Sequence, residues 1–105
     1  MKVIYNRLIP FKGFKCINLF GVLFVREDCS MSKCDLNHEA IHTAQMRELL
    51  YLLFYLLYLM EWLWHLLRLR NSKAAYFEIS HEREAYANQT NLDYLKTRKP
   101  YNQWH

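Results

Sequence analysis

The most informative stretch of the chain covers residues 32–70, which read SKCDLNHEAIHTAQMRELLYLLFYLLYLMEWLWHLLRLR. Ser32 and Asp35 stand three residues apart, as in a capping box that opens a helix. The stretch contains no Gly or Pro, so neither of these residue types ends the helix. An unbroken helix over 36–70 would be about 50 Å long, roughly twice the width of a domain this small. We therefore expect the segment to bend, to protrude or to enter a membrane.

The residues before this stretch predict strands. Short apolar runs within residues 1–26 are broken by Pro10, Gly13 and Gly21, which is typical of two or three strands. After it, Asn71 and Ser72 form a second N-cap signal, and residues 72–90 carry helix formers with apolar residues at helical spacing. The tail over 91–105 is polar and basic, and Pro100 closes a short helix there.

These elements predict an α+β fold in a single domain over 1–105. A small antiparallel sheet or hairpin packs on a first helix, a long apolar helix and a third helix rich in Glu. Lys and Arg number 14 against 10 Asp and Glu, and they are spread over both ends with no basic run, so no nucleic-acid partner is expected. The odd count of three Cys favours reduced thiols. Because no apolar stretch reaches signal-peptide length near the amino terminus, we expect a cytoplasmic protein.

Residues 38–42 read HEAIH, which is the HExxH motif. Residues four apart lie on one helix face, so His38 and His42 can hold one metal ion, with Zn²⁺ the natural choice. Glu39 lies beside that face, where its carboxylate can act as a general base. A catalytic zinc needs a third protein ligand, and the chemistry alone leaves several candidates open: His65, Glu78, His81, Glu82, Glu84 and Asp93.

Together, HExxH and the downstream run Glu82-Arg83-Glu84-Ala85-Tyr86 resemble a very small member of the zincin metallopeptidases. The similarity is to the branch with a Glu ligand, which includes thermolysin and the CAAX prenyl proteases. The resemblance implies that Glu82 is the third ligand and that Ala85 lets two helices approach closely. Tyr86 stands where the family usually has Asp. The implied activity is zinc-dependent hydrolysis of peptide bonds, with a peptide or protein as substrate.

The resemblance also implies roles around the metal. In zincins the strand before the HExxH helix is an edge that pairs with extended substrate. Here that place would be taken by Val22, Leu23, Phe24, Val25 and Arg26, for which plain core packing is the alternative. Tyr86 and His81 are the nearest candidates to contact a ligand or to steady a developing oxyanion, and each also fits ordinary helix packing.

Two rival interpretations remain. Cys29 and Cys34 could join the two histidines in a Cys2His2 structural zinc site, although the spacing from Cys34 to His38 is too short for a zinc finger. Alternatively, the chain is a non-catalytic zinc-binding or membrane-associated interaction protein on the same scaffold.

The apolar helix over residues 49–67 bears on that second alternative. Twelve consecutive residues from Leu49 to Met60 are Leu, Tyr, Phe or Met, and the apolar character continues to Leu67. A domain of this size has little material to cover such a helix, so the Leu surface is expected to meet lipid or another subunit, with a buried core helix as the alternative. The protein would then be peripheral or integral to a membrane. For Glu61 and His65 we predict a mutual hydrogen bond.

Overall fold

The computed structural model describes residues 2–9 and 14–104, so Pro10 and Gly13, the predicted strand breakers, lie outside the described residues. The described ranges contain three strands, β1 (Lys2–Asn6), β2 (Cys16–Leu19) and β3 (Val22–Arg26), followed by helices only. The helices are α1 (Lys33–Glu48), α2 (Leu52–Leu69), α3 (Ser72–Glu78), α4 (Ser80–Asn88) and α5 (Tyr94–Thr97), with a final 3₁₀ turn over Asn102–Trp104. The predicted α+β class is confirmed.

The sheet is mixed, with the strand order β1-β3-β2. β2 and β3 form the expected antiparallel hairpin, whose two-residue turn places Phe20 and Gly21 at positive φ angles of 54° and 87°. β1 joins β3 in parallel, so the sheet is not wholly antiparallel. β3 is therefore the central strand and is paired on both sides. The prediction that Val22–Arg26 forms a free edge for substrate is wrong, because β1 occupies the side that the hairpin leaves open.

Helix α1 begins where the sequence predicts. The Ser32 hydroxyl accepts a hydrogen bond from the Asp35 N–H, and the Asp35 carboxylate accepts one from the Ser32 N–H, so both halves of the capping box are present. The apolar stretch does not continue this helix but bends away from it. Leu50 and Tyr51 both adopt positive φ angles, near 55° and 62°, and α2 starts after them. The bend lets the helical region fit a molecule of 36 × 33 × 25 Å.

The third helical region is divided in two. Asn71 caps α3 by accepting a hydrogen bond from the Ala74 N–H, as expected. At Ile79 the chain leaves the helix with ψ near 130° and re-enters it as α4. The Ile79 side chain is fully buried at this corner. As a result Glu82 lies in the first turn of α4, which packs against α1.

The predicted hydrogen bond between Glu61 and His65 is absent. The Glu61 carboxylate instead accepts hydrogen bonds from the main-chain N–H and the hydroxyl of Ser80. His65 receives its hydrogen bond from Arg68. Glu61 therefore fastens α2 to the start of α4, because Ser80 offers two donors to one carboxylate.

A buried ionic network ties the carboxyl-terminal segment to the helices. The Arg98 guanidinium contacts Glu84 and Glu48, and the side chains of Arg98 and Glu84 are only 4% and 3% exposed. The Tyr94 hydroxyl donates a further hydrogen bond to Glu84 at 2.6 Å. Removing one partner of a buried ion pair leaves the other charge uncompensated, which is more costly than the pair is stabilising.

We therefore expect Arg98→Met to lower the free energy of unfolding by about 3 to 5 kcal/mol. The matched control is Lys96→Met, because Lys96 and Asp93 form an ion pair in which both side chains are largely exposed. That control should change stability by no more than about 1 kcal/mol. Urea denaturation followed by circular dichroism measures both values. Equal effects of the two substitutions would contradict the structural role of the network.

Candidate metal centre

Two helices bring three side chains to one buried point. His38 and His42 lie one turn apart on α1, and their Nε2 atoms are 3.1 Å from each other. The Glu82 Oε1 atom, on α4, lies 3.1 Å from His38 Nε2 and 3.0 Å from His42 Nε2. All three side chains are less than 10% exposed. Three atoms that can each bind a metal ion therefore form a nearly equilateral triangle.

The HExxH segment forms a group that could hold a metal ion. Ligand atoms of His38, Glu39 and His42 all lie within 4.8 Å of one another, and both histidines are buried. Glu82 makes ion-pair contacts with both histidines from the facing helix. As predicted, the structure places Glu82 there rather than Glu78, which is exposed on α3, or Glu84, which pairs with Arg98.

Two glutamines orient the imidazole rings. His38 Nδ1 lies 2.7 Å from the Gln89 Oε1 atom, and His42 Nδ1 lies 2.8 Å from the Gln45 Oε1 atom. Because an amide oxygen can only accept, both Nδ1 atoms carry a proton and both Nε2 atoms are left to face the triangle. The Gln45 amide nitrogen donates to the His81 carbonyl and to Glu84, which fixes the direction of its oxygen. Such outer contacts commonly select the tautomer of metal-binding histidines.

The electrostatics of the triangle favour opposite charges on His42 and Glu82. Burial alone would keep His42 neutral, but the Glu82 carboxylate outweighs burial and raises the pKa of His42 to about 9. Burial likewise opposes ionisation of Glu82, yet the nearby histidines and their hydrogen bonds hold its pKa well below the ordinary range. The Tyr58 hydroxyl donates to the second Glu82 oxygen, Oε2, at 2.7 Å. The carboxylate is thus held with Oε1 towards the imidazoles.

Glu39 is placed differently from the other three residues. It is part-exposed, and burial raises the pKa of its carboxyl group above the ordinary value. Its main-chain carbonyl accepts a hydrogen bond from the Asn18 side chain, which anchors this turn of α1 to β2, and one from the Thr43 hydroxyl in the next turn of α1. A carboxylate with a raised pKa is a stronger base than an ordinary one, and it can take up a proton nearer to neutral pH.

Two cavities meet at Glu39. The first, here called the aromatic cavity, has a volume of about 450 Å³ and reaches His42 and Glu82 between β2 and α2. Most of its remaining wall is apolar or aromatic and comprises Phe14, Ile17, Met46, Phe54, Tyr55 and Tyr58.

The second, here called the polar cavity, has a volume of about 310 Å³ and reaches His38. Its wall includes Lys15, Asp35, Tyr86 and Gln89. Cys16, Glu39 and Tyr76 line both cavities, which therefore flank the site on its two sides.

β2 is the edge strand that runs beside both cavities. The Arg26 N–H donates to the Lys15 carbonyl, so the main-chain polar groups of Lys15 point towards β3. The Asn18 carbonyl instead accepts a hydrogen bond from the Tyr55 hydroxyl, on the side away from β3. The side to which the main-chain N–H and C=O groups point alternates from residue to residue along an antiparallel strand. The main-chain N–H and C=O groups of Cys16 therefore also point away from β3. The strand that an extended ligand could join is thus β2 and not β3.

The two residues predicted to assist the site have different surroundings. Tyr86 lines the polar cavity, and its ring packs edge-on against His38 at 4.5 Å between centroids. Its hydroxyl contacts the Tyr76 hydroxyl at 2.9 Å and, in the described structure, makes no hydrogen bond to His38 or His42, so its contact with a candidate ligand is made by the ring. His81 is fully buried, stacks on Phe54 at 4.6 Å and lines neither cavity. Burial lowers the pKa of His81 to about 4. The position of His81 does not suit oxyanion stabilisation.

The Cys2His2 alternative finds no support in the geometry. Cys16, Cys29 and Cys34 are all free thiols, and neither Cys29 nor Cys34 belongs to the group of potential ligands around His38 and His42. Cys29 contributes to a separate cavity with Phe14 and Arg26.

Sequence reasoning missed the residues that support the site: Gln45, Gln89, Tyr58 and Tyr76. Gln45 follows His42 by three residues, a spacing that places both on one helix face and could have identified it. Gln89 follows Glu82 by seven residues, or two helical turns, which is a weaker indication. Tyr58 and Tyr76 carry no indication in the local sequence, because their positions depend on the bend before α2 and on the packing of α3.

The contact from Tyr58 gives a testable prediction. Tyr58→Phe removes the hydrogen bond to Glu82 Oε2 and should weaken metal binding about 10-fold, at the lower end of the range for outer contacts of a metal site. Tyr55→Phe is the matched control, because the Tyr55 hydroxyl bonds only to the hairpin and to Met46 in the described structure. Competition with a chromophoric chelator measures both affinities. Equal affinities of the Tyr58 variant and the unsubstituted protein would contradict this role.

Comparisons of the chain with protein-family models, with curated proteins and with solved structures find no match.

Proposed function

We propose that the protein is a zinc-dependent peptidase. The observation that carries the proposal is the convergence of His38 Nε2, His42 Nε2 and Glu82 Oε1 within 3.0 to 3.1 Å of one another, beside the carboxylate of Glu39. A structural zinc site is usually closed by four protein ligands, whereas a catalytic site keeps one position open. Three converging atoms at the junction of two cavities correspond to the second arrangement.

The donor set fits zinc. Zinc binds imidazole nitrogen and carboxylate oxygen at about 2.0 to 2.2 Å, so tetrahedral ligand atoms lie about 3.3 Å apart. The observed separations need to grow by only a few tenths of an ångström. Two imidazoles and one carboxylate are also the ligand set that leaves a fourth position for water or substrate. Calcium and magnesium are less suitable, because they prefer sites made largely of oxygen atoms.

The chain's own residues would divide the work of hydrolysis. When bound, zinc would polarise the substrate carbonyl and make water more acidic. The Glu39 carboxylate would accept a proton from the attacking water and later deliver it to the leaving amine. Tyr76 lines both cavities and carries its hydroxyl beside that of Tyr86, so it is the candidate to donate a hydrogen bond to the developing oxyanion. Gln45, Gln89 and Tyr58 would hold the ligands in place.

The cavities favour a particular kind of substrate. An extended peptide could add to the edge of β2 that faces away from β3, since the main-chain N–H and C=O groups of Cys16 point to that side. The aromatic cavity would receive a bulky apolar side chain on one side of the scissile bond. The polar cavity, whose wall includes Lys15 and Asp35, would receive a polar side chain on the other side.

The experiment is a cleavage assay with a peptide library, analysed by mass spectrometry. We expect cleavage next to large apolar residues, loss of activity with a zinc chelator, and recovery when zinc is added. If zinc is bound tightly and no peptide is cleaved, the alternative of a non-catalytic zinc-binding protein on this scaffold is the better interpretation. That alternative needs no function for the Glu39 carboxylate.

A further inference from the structure

Helix α2 has an apolar face that no other part of the described structure covers. α2 is long and apolar enough to cross a membrane, yet only a small share of it is buried inside the protein. Its exposed apolar side chains between Leu52 and Leu67 are here called the outer face of α2. Exposure reaches 74% for Leu52, 64% for Trp64 and 77% for Leu67. A patch of this length on a soluble monomer marks an interaction surface.

The polar groups of α2 are turned away from the outer face. Tyr55 and Tyr58 donate hydrogen bonds to Asn18 and Glu82 in the interior. Glu61 is fastened to Ser80, and the Trp62 indole donates to the Ser72 carbonyl. These contacts join one side of α2 to the protein from its first turn to beyond its middle. Lipid could therefore cover the outer face alone, with the helix lying in the plane of a bilayer surface.

The composition of the outer face favours lipid over a second copy of the chain. Leu53, Leu56, Met60, Leu63 and Leu67 follow the alternating spacing of three and four residues that a coiled-coil seam requires. In a water-soluble coiled coil the positions that flank the seam are usually charged. Here the exposed flanking positions are Leu52, Leu59 and Trp64, so the apolar surface is wider than a helix pair would cover.

Charge at the end of the helix identifies the kind of lipid. Arg68, Arg70 and Lys73 are exposed and follow the outer face directly. In a helix that lies at a bilayer surface, basic residues at this position meet the phosphate groups, and anionic headgroups attract them further. We propose that the outer face of α2 docks the protein onto a bilayer that contains anionic phospholipid. This inference does not depend on hydrolysis.

Vesicle flotation tests the proposal. The protein should float with vesicles of phosphatidylcholine and phosphatidylglycerol, and it should bind about 100-fold more weakly to phosphatidylcholine alone, because three basic residues lose their anionic partners. Replacing Leu56, Met60 and Leu63 with Gln should lower partitioning more than about 100-fold, since each removes a large apolar side chain from lipid. The matched control replaces Leu8, Leu92 and Leu95, which are exposed elsewhere, with Gln and should bind as before.

Tryptophan fluorescence locates the contact. With Trp62 and Trp104 replaced by Phe, the remaining Trp64 should be quenched by brominated phosphatidylcholine in the mixed vesicles. With Trp62 and Trp64 replaced instead, the remaining Trp104 should not be quenched, although it is 47% exposed. Circular dichroism confirms that each variant is folded. Equal quenching of Trp64 and Trp104, or no binding to either vesicle, would overturn the proposal. So would a detergent-free dimer that the Gln variant of the outer face dissociates.

Discussion

Glu39→Gln is expected to retain zinc and the fold while losing hydrolysis by a factor on the order of 10² to 10⁴. The substitution keeps the size and the helix propensity of the residue but removes the group that accepts a proton. Glu39 is not part of the triangle formed by His38, His42 and Glu82, so the metal ligands stay in place. The measurement is the rate of cleavage of the best library peptide, with zinc content determined on the same sample.

The control for Glu39→Gln is Glu78→Gln, which changes an exposed carboxylate on α3. It should leave both the rate and the zinc content unchanged, because surface substitutions rarely alter stability by more than about 0.5 kcal/mol. Activity in Glu39→Gln close to that of the unsubstituted protein would remove the general base from the mechanism. If neither the unsubstituted protein nor Glu39→Gln cleaves any peptide while both hold zinc tightly, the peptidase proposal loses its support.

The second large effect is expected on metal binding. Glu82→Gln should weaken zinc binding by more than the 10- to 100-fold that is typical of changes to outer contacts, because it removes the carboxylate that we propose as the third ligand. The amide preserves the shape of the side chain and can still hydrogen-bond to the histidines and to Tyr58, so the fold should survive. Glu78→Gln is again the control, since it was a candidate for the third ligand before its position was known. Competition with a chelator of known affinity gives both constants.

The zinc affinities of Glu82→Gln and Glu78→Gln distinguish a wrong third ligand from a wrong packing of the helices. If Glu82→Gln binds zinc as tightly as the unsubstituted protein, the third ligand is wrongly assigned. If Glu78→Gln loses zinc instead, the packing of α4 against α1 and of α3 against α2 is also wrong.

The parts of the fold that depend on neighbouring residues could be predicted from sequence. The capping box of Ser32 and Asp35 and the cap at Asn71 are local hydrogen bonds between residues three apart, so the sequence alone identifies them. The HExxH spacing likewise fixes the relation of His38 and His42, because helical geometry alone sets it.

Features that depend on distant contacts could not be predicted. Leu50 and Tyr51 adopt positive φ angles that their residue types disfavour, and the packing of Phe54 and Tyr55 at the site accompanies that bend. The central position of β3 arises from its pairing with β1, about 20 residues earlier in the chain. The apolar pattern of a strand does not show which other strand it pairs with. Glu82 could be singled out among six candidates only through the resemblance to zincins.

The most direct test of the account is the metal content of the protein, purified without chelator and without added metal. Inductively coupled plasma mass spectrometry should find about one zinc per chain, as one site with three protein ligands requires. A variant with Ala in place of both His38 and His42 should contain none. Absence of metal from the unsubstituted protein, together with unchanged folding of the double variant and no binding of added zinc, would contradict the account.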